Sequence, residues 1–130
     1  MPEESRSRGT IIVVEDDPNI SDLLYSLFES DNYNVVPVGD GIKALEETHQ
    51  TKADLITLDL SLPGMNGQDV LHHLKNDERT RQIPVIIISA HAASVNGEVR
   101  EMAEMVIPKP FDVGELLERV ESVMRHSPAT

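Results

Sequence analysis

Five short runs of β-branched and aliphatic residues alternate along this chain with segments whose apolar residues recur at helical spacing. The apolar runs cover residues 10–14, 34–38, 55–58, 83–88 and 105–108. The helical patterns cover residues 18–30, 42–48, 67–76 and 95–104 and a last segment that begins near residue 112. Their apolar stripes include Leu23 in the first helix and Val113 in the last, which we expect to face the core. The alternation predicts βαβ units and an α/β fold, a doubly wound parallel sheet of five strands covered by five helices.

Several residues mark where these elements start or where they lie in the sheet. Asp17 followed by Pro18 is typical of a helix N-cap and first turn. Asp112 and Glu115 have the spacing of a capping box at the start of the last helix. Pro37 cannot donate a hydrogen bond to a neighbouring strand, so the second strand is predicted at an edge of the sheet.

The length of 130 residues fits a single domain. We expect a flexible tail over residues 1–9, the domain over residues 10–126, a second tail over residues 127–130 and no effector domain. The sequence contains no cysteine, no apolar signal-peptide core at its N-terminus and no apolar run of membrane-spanning length. These features predict a cytoplasmic protein that does not insert into membranes.

Acidic residues outnumber basic ones by 23 to 11, which gives a formal net charge of −12. A surface of this sign repels phosphate backbones, so we expect no direct binding to nucleic acid. It can attract divalent cations or a basic partner. The alternative is that most of these charges only maintain solubility.

Polar residues of particular kinds follow four of the five predicted strands. Glu15 and Asp16 follow the first strand, Asp59 the third, Ser89 the fourth and Lys109 the fifth. In a parallel sheet all these ends lie at one edge, where open α/β sheets place their ligand sites. Taken singly, each residue would more often be a cap, a turn residue or a surface residue. Their joint placement favours a functional site.

The chemistry of these residues points to a phosphate-handling site. Three clustered carboxylates repel one another, and a hard divalent cation with oxygen ligands, such as Mg²⁺, relieves that repulsion. A lysine and a hydroxyl nearby provide the positive charge and the donor that phosphate oxygens need. A carboxylate that acts as a nucleophile beside them describes an aspartyl-phosphate site, with Asp59 as the working residue.

Four segments of the sequence resemble the signature blocks of the receiver domain of two-component response regulators. They are residues 13–17 (VVEDD), 58–67 (LDLSLPGMNG), 83–90 (IPVIIISA) and 109–111 (KPF). The blocks occur in the family's order, and the resemblance covers about residues 10–125. It implies a flavodoxin-like fold with strand order 2-1-3-4-5.

The resemblance also implies the role of the acidic residues. Asp59 would be the phosphoacceptor, taking a phosphoryl group from a phosphohistidine on a sensor histidine kinase or a histidine phosphotransfer protein. Glu15 and Asp16 would hold Mg²⁺ together with Asp59 and the backbone carbonyl of Ser61. Such a protein catalyses only its own phosphoryl transfer and slow dephosphorylation, so it is not an enzyme acting on other substrates, and it signals to a downstream protein target.

Other residues receive roles from the same resemblance. Lys109 would pair with the phosphoryl oxygens, next to a cis bond to Pro110. Ser89 would be the switch hydroxyl that turns toward the phosphoryl group. Ser61 and His91 would tune hydrolysis of the acyl phosphate.

The sequence departs from the family at the switch region. Val106 occupies the position of the usual switch aromatic, residues 102–105 replace the usual Gly-Ala, and the interval from Ser89 to Lys109 is short. One alternative is therefore a pseudo-receiver, an interaction module that signals without phosphorylation. Another is a phosphatase of the haloacid dehalogenase type, which requires a second acid where this chain has Ser61.

Overall fold

In the computed structural model, which describes residues 7–125, five strands alternate with five helices as the sequence predicts. The strands are β1 (Thr10–Val14), β2 (Asn34–Val38), β3 (Leu55–Leu58), β4 (Val85–Ser89) and β5 (Met105–Pro108). The helices are α1 (Pro18–Ser30), α2 (Gly41–Gln50), α3 (Gly67–Lys75), α4 (Gly97–Met102) and α5 (Val113–Arg125). One turn of 3-10 helix, Ala92–Ser94, precedes α4. Within this part of the chain, no helix is both long enough and apolar enough to cross a membrane.

The five strands form one parallel sheet in the order β2-β1-β3-β4-β5, which confirms the predicted flavodoxin-like topology. Val14 at the end of β1 pairs with Val38 of β2 on one side and with Leu58 of β3 on the other. Pro37 is exposed on β2, which is an edge strand as predicted. The register brings the carboxyl ends of β1, β3, β4 and β5 together at one edge of the sheet.

Side chains of the strands alternate between two apolar clusters, one on each face of the sheet. The cluster that joins the sheet to α1 and α5 includes Ile11, Val13, Leu24, Phe28, Leu116 and Val120. The cluster that joins it to α2, α3 and α4 includes Ile12, Val14, Ala44, Val70, Leu71 and Val99. Full burial of a valine, leucine, isoleucine or phenylalanine side chain contributes about 1.5–3 kcal/mol to the stability of the fold. The two clusters therefore fix the strands, and with them the residues at the strand ends.

Polar caps define where the helices begin. The carboxylate of Asp17 accepts a hydrogen bond from the backbone N–H of Asn19 at 2.9 Å, and Pro18 is the first residue of α1. The carboxylate of Asp112 accepts one from the backbone N–H of Glu115 at 2.8 Å. Both predicted caps are confirmed.

Several elements differ by one or two residues at an end from their predicted ranges, among them α2, which covers 41–50 rather than 42–48, and α3, which ends at Lys75 rather than at residue 76. The strand β4 begins at Val85 rather than at residue 83 and includes Ser89. The helix α4 covers 97–102 rather than 95–104, because the side chain of Asn96 accepts a hydrogen bond from the N–H of Val99 and starts the helix there. Ala103 already has an extended backbone conformation, which ends it.

Arg8, which precedes the predicted start of the first strand, packs against the rest of the domain. The guanidinium of Arg8 lies 3.0 Å from the carboxylate of Asp31 and 3.0 Å from that of Glu121, and 4.8 Å from the centre of the Tyr33 ring. The contacts of the domain therefore extend to Arg8, inside the range assigned to the N-terminal tail. Residues 1–6 of that tail and the predicted tail over 127–130 lie outside the described residues.

Candidate functional site

The structure brings Glu15, Asp59 and Lys109 into direct contact at the carboxyl edge of the sheet. The Nζ atom of Lys109 lies 2.8 Å from Oε1 of Glu15 and 3.1 Å from Oδ2 of Asp59. Each of the three residues directly follows a strand, so the register of the sheet is what assembles them. The peptide bond between Lys109 and Pro110 is cis, as the resemblance implies.

Three carboxylates form one cluster around this contact. Glu15, Asp16 and Asp59 each offer an oxygen atom within 4.8 Å of the other two. Glu15 and Asp59 are buried, with 4% and 7% of their surfaces exposed, whereas Asp16 is exposed. The cluster thus consists of two buried carboxylates and one that is open to solvent, and all the ligand atoms that it offers to a metal ion are oxygens.

Burial and the contact between Lys109 and the carboxylates act in opposite directions on the pKa values of Glu15 and Lys109. Burial raises the pKa of the Glu15 carboxyl, and the charge of Asp59 raises it further, although the hydrogen bond from Lys109 partly offsets both. Burial alone would lower the pKa of Lys109, but its hydrogen bonds to Glu15 and Asp59 outweigh that effect and the pKa is raised. The ammonium group therefore stays charged and neutralises part of the excess negative charge.

The loop from β3 to α3 holds the Asp59 carboxylate in place. The backbone N–H of Ser61 donates a hydrogen bond to Oδ1 of Asp59 at 3.1 Å. The loop then passes close to the backbone of Asp59 at Gly67, where an added Cβ would lie 2.5 Å from the Asp59 carbonyl oxygen and 2.5 Å from Cα of Leu60. Only glycine fits this approach.

The structure places Ser89, Ser61 and His91 around one cavity next to Asp59. The cavity has a volume of about 340 Å³ and is lined by all three residues. Ser89 is buried, with 2% of its surface exposed, and its hydroxyl oxygen accepts a hydrogen bond from the backbone N–H of His91 at 3.0 Å. In this structure the hydroxyl thus binds its own loop, and the side chains of Ser61 and His91 lie at the cavity's exposed rim.

An apolar groove beside Lys109 corrects the prediction that Leu23 and Val113 face the core. Leu23 is 44% exposed and Val113 is 39% exposed. Together with Ile20 and Phe111 they line a groove of about 430 Å³ that borders the lysine. Helical spacing assigns both residues to an apolar stripe, but Leu23 lies on the flank of that stripe next to the fully buried Leu24, and Val113 is the first residue of α5.

The sequence pattern gives no signal for two further contacts near the site. The backbone N–H of Asp17 donates to Oε2 of Glu15 at 3.2 Å. The guanidinium of Arg100 donates to the carbonyl oxygens of Ala92 and Val95 in the loop after β4. Both involve backbone atoms, which every residue carries.

Comparison with known proteins agrees with this geometry. The model of the response regulator receiver domain matches residues 11–121. A DNA-binding dual master transcriptional regulator, RpaA of Synechocystis, is 38% identical over 120 residues, which is 90% of this chain and 49% of RpaA. The DNA-binding response regulator MtrA of Mycolicibacterium smegmatis is 33% identical over 122 residues, which is 92% of this chain and 52% of MtrA. The chain therefore spans about half the length of these curated relatives.

Solved structures give the same result. The receiver domain of the sensor histidine kinase PA1611 from Pseudomonas aeruginosa, with a magnesium ion in its active site cleft, is 26% identical and superposes with a TM-score of 0.83 over 90% of this chain and 98% of that one. The response regulator TrrA of Thermotoga maritima, in complex with Mg²⁺ and BeF, is 26% identical and has a TM-score of 0.81 over 88% and 98%. This chain belongs to the response regulator receiver domain family.

Proposed function

We propose that this receiver domain carries a two-component phosphorelay signal by accepting a phosphoryl group on Asp59. The observation that supports this most directly is the contact of Lys109 Nζ with Asp59 at 3.1 Å, inside a cluster of three carboxylates. The donor is a phosphohistidine on a sensor histidine kinase or a histidine phosphotransfer protein, and the reader of the signal is a downstream protein. We expect the protein to be cytoplasmic, where such donors present their phosphohistidines.

The acidic cluster suits Mg²⁺ in the number and the chemistry of its donors. Glu15, Asp16 and Asp59 supply oxygens within 4.8 Å of one another, and the backbone carbonyl of Ser61 is the fourth protein donor that we assign. Lys109 alone does not balance three carboxylates. Bound there, the cation would neutralise charge on the cluster and on the phosphoryl oxygens.

The chain's own residues then perform a simple displacement. An oxygen of the Asp59 carboxylate forms a bond to phosphorus while the bond from phosphorus to the histidine nitrogen breaks, and the electron pair stays on the imidazole. Transfers of this kind need positioning and charge neutralisation rather than covalent help. The hydrogen bond from the Ser61 N–H fixes the carboxylate, and Lys109 pairs with the phosphoryl oxygens. Reversal of the signal is hydrolysis, in which Ser61 and His91 at the cavity rim control the approach of water.

The phosphoryl group also changes the charge of the site. It adds about 1.5 to 2 negative charges close to Lys109 and Ser89. The Ser89 hydroxyl rotates to donate to it and gives up its present hydrogen bond from His91. This biases the loop after β4 toward a second conformation that a partner can read.

A pseudo-receiver that signals without phosphorylation is less well supported. Its basis is Val106, which replaces the usual switch aromatic and is half-buried on β5. However, Asp59, Lys109 and the acidic pair keep both the residue types and the contacts that phosphorylation needs. Val106 therefore bears on how the signal leaves the site rather than on whether Asp59 reacts.

The test is intact mass after incubation with acetyl phosphate, with and without Mg²⁺. We expect one added phosphoryl group on the wild type with Mg²⁺, none without it, and none on Asp59→Asn. The matched control Asp22→Asn removes an exposed carboxylate of α1 and should be modified like the wild type. Absence of an adduct on the wild type, even after rapid quenching, would support the pseudo-receiver instead.

A further inference from the structure

We propose that Arg100 is a positioning residue that holds the loop between β4 and α4, residues 90–96, in its unphosphorylated conformation and so sets how readily Asp59 is modified. This inference rests on the proposed function and concerns a residue outside the acidic site. It follows from where the guanidinium of Arg100 is directed and from what the loop is attached to at its other end.

Arg100 bonds the loop at two points. Its Nη2 donates to the carbonyl oxygen of Ala92 at 2.6 Å, and its Nε donates to that of Val95 at 3.2 Å. The neighbouring helix positions offer carboxylates, yet within residues 7–125 none lies within ion-pair distance of this guanidinium. The side chain therefore acts on the backbone of the loop rather than in a surface salt bridge.

The switch hydroxyl holds the other end of the same loop. The Ser89 oxygen accepts from the N–H of His91 at 3.0 Å. Between these two attachments lies one 3-10 turn, in which the N–H of Ser94 donates to the His91 carbonyl. The loop is thus fixed by Ser89 at its start and by Arg100 at its end, with little regular structure of its own.

Phosphorylation of Asp59 releases the attachment at Ser89 but leaves the attachment at Arg100 in place. Rotation of the Ser89 hydroxyl toward the phosphoryl group releases His91 and frees the start of the loop. The hydrogen bonds of Arg100 still hold Ala92 and Val95 and resist rearrangement. Phosphorylation can shift the loop only by overcoming them, so Arg100 raises the free energy of the activated state relative to the resting one.

Because Val106 replaces the usual switch aromatic, the hydrogen bonds of Arg100 have a larger share in holding the loop. Val106 packs with the apolar cluster that contains Val95 and Val99. A valine has no ring that could occupy alternative positions as the loop moves. Resistance to the loop's rearrangement then comes from backbone attachments, and Arg100 provides two of them.

The probe is beryllofluoride with Mg²⁺, which binds a phosphoacceptor carboxylate as a stand-in for the phosphoryl group. Loss of one solvent-exposed and one partly buried hydrogen bond from the charged Arg100 side chain should tighten beryllofluoride binding by about threefold to tenfold in Arg100→Gln. Arg100→Lys keeps the charge but lacks the two-pronged geometry, so an intermediate affinity is expected. Arg119→Gln makes the same change at an exposed position of α5, and this variant should bind beryllofluoride like the wild type.

Affinity is measured by calorimetry, together with amide NMR spectra that report the His91 N–H and the folded state. Tighter binding in Arg100→Gln, with unchanged affinity for Mg²⁺ alone, supports the inference, because a merely structural residue would weaken binding or leave it unaltered. Equal or weaker binding overturns it while leaving the proposed function intact. If Arg100→Gln does not fold, Arg100→Lys decides by the same criterion. If the wild type itself does not bind beryllofluoride, the proposed function fails and the inference fails with it.

Discussion

Replacing Lys109 with methionine tests how the acidic site is held together in the absence of metal. In the wild type the ammonium group contacts Glu15 at 2.8 Å and Asp59 at 3.1 Å. Methionine keeps much of the apolar stem but leaves both carboxylates without a positive partner. Their side chains are only 2% and 8% exposed, so water replaces the lost contacts poorly.

The structure sets the size of the effect. Breaking a buried ion pair by removing one partner costs about 3–5 kcal/mol. The site lies at the open edge of the sheet, and the Lys109 side chain is 14% exposed, which favours the lower end of that range. We expect Lys109→Met to lose about 3 kcal/mol of unfolding free energy at pH 7 without Mg²⁺.

The penalty should depend on pH with a definite sign. The folded-state pKa of Glu15 is already raised, and loss of Lys109 removes a contact that lowers it. A carboxyl whose pKa is raised on folding favours the folded state at pH values below its unfolded pKa, and this contribution is lost as the pH rises through the folded pKa. The difference between wild type and Lys109→Met should therefore be largest near neutrality and shrink toward pH 4.5.

Urea denaturation followed by circular dichroism measures this difference at a series of pH values. A second variant, Lys109→Met with Glu15→Gln, should recover part of the loss at pH 7 because it removes one of the two unpaired charges. A loss that does not change with pH and is not relieved by Glu15→Gln would refute the reasoning. It would mean that Lys109 stabilises the fold by packing rather than by charge.

Two other substitutions probe the surroundings of the site and the far end of the sheet. Gly67→Ala should lose about 1–3 kcal/mol of unfolding free energy in urea, because the new Cβ meets backbone atoms at 2.5 Å. Gly97→Ala, where nothing lies within 4 Å, is its control and should not be destabilised. Arg79, with the help of His49, lowers the pKa of Asp77. A lowered pKa stabilises the folded state above the unfolded value of 3.8 and ceases to do so as the pH falls, so the stability lost in Asp77→Asn should disappear in acid.

Much of the fold can be predicted because local and global signals agree. The buried strands are nearly uninterrupted apolar runs, and Asp17 and Asp112 mark helix starts through caps that depend only on neighbouring residues. Pro37 places β2 at an edge by its missing donor. Since the sheet is parallel, the residues after the strands meet at one edge, so Glu15, Asp59 and Lys109 could be grouped before any distance was known.

The remaining features depend on contacts that leave no sequence pattern. Arg100 bonds backbone carbonyls, which are present at every position, and Arg8 reaches residues more than twenty positions away. Leu23 has the spacing of an apolar stripe but lies on its exposed flank, next to the fully buried Leu24. The short α4 reflects the cap at Asn96, which competes with the apolar spacing on either side.

The central claim is that Asp59 itself carries the phosphoryl group. Its most direct test is reduction of the phosphorylated protein with borohydride, which converts an aspartyl phosphate to homoserine, followed by peptide mapping. We expect homoserine at position 59, only after treatment with phosphodonor and Mg²⁺. Homoserine at another acidic residue, or a stable phosphate that borohydride does not reduce, would contradict the assignment of Asp59 as the phosphoacceptor.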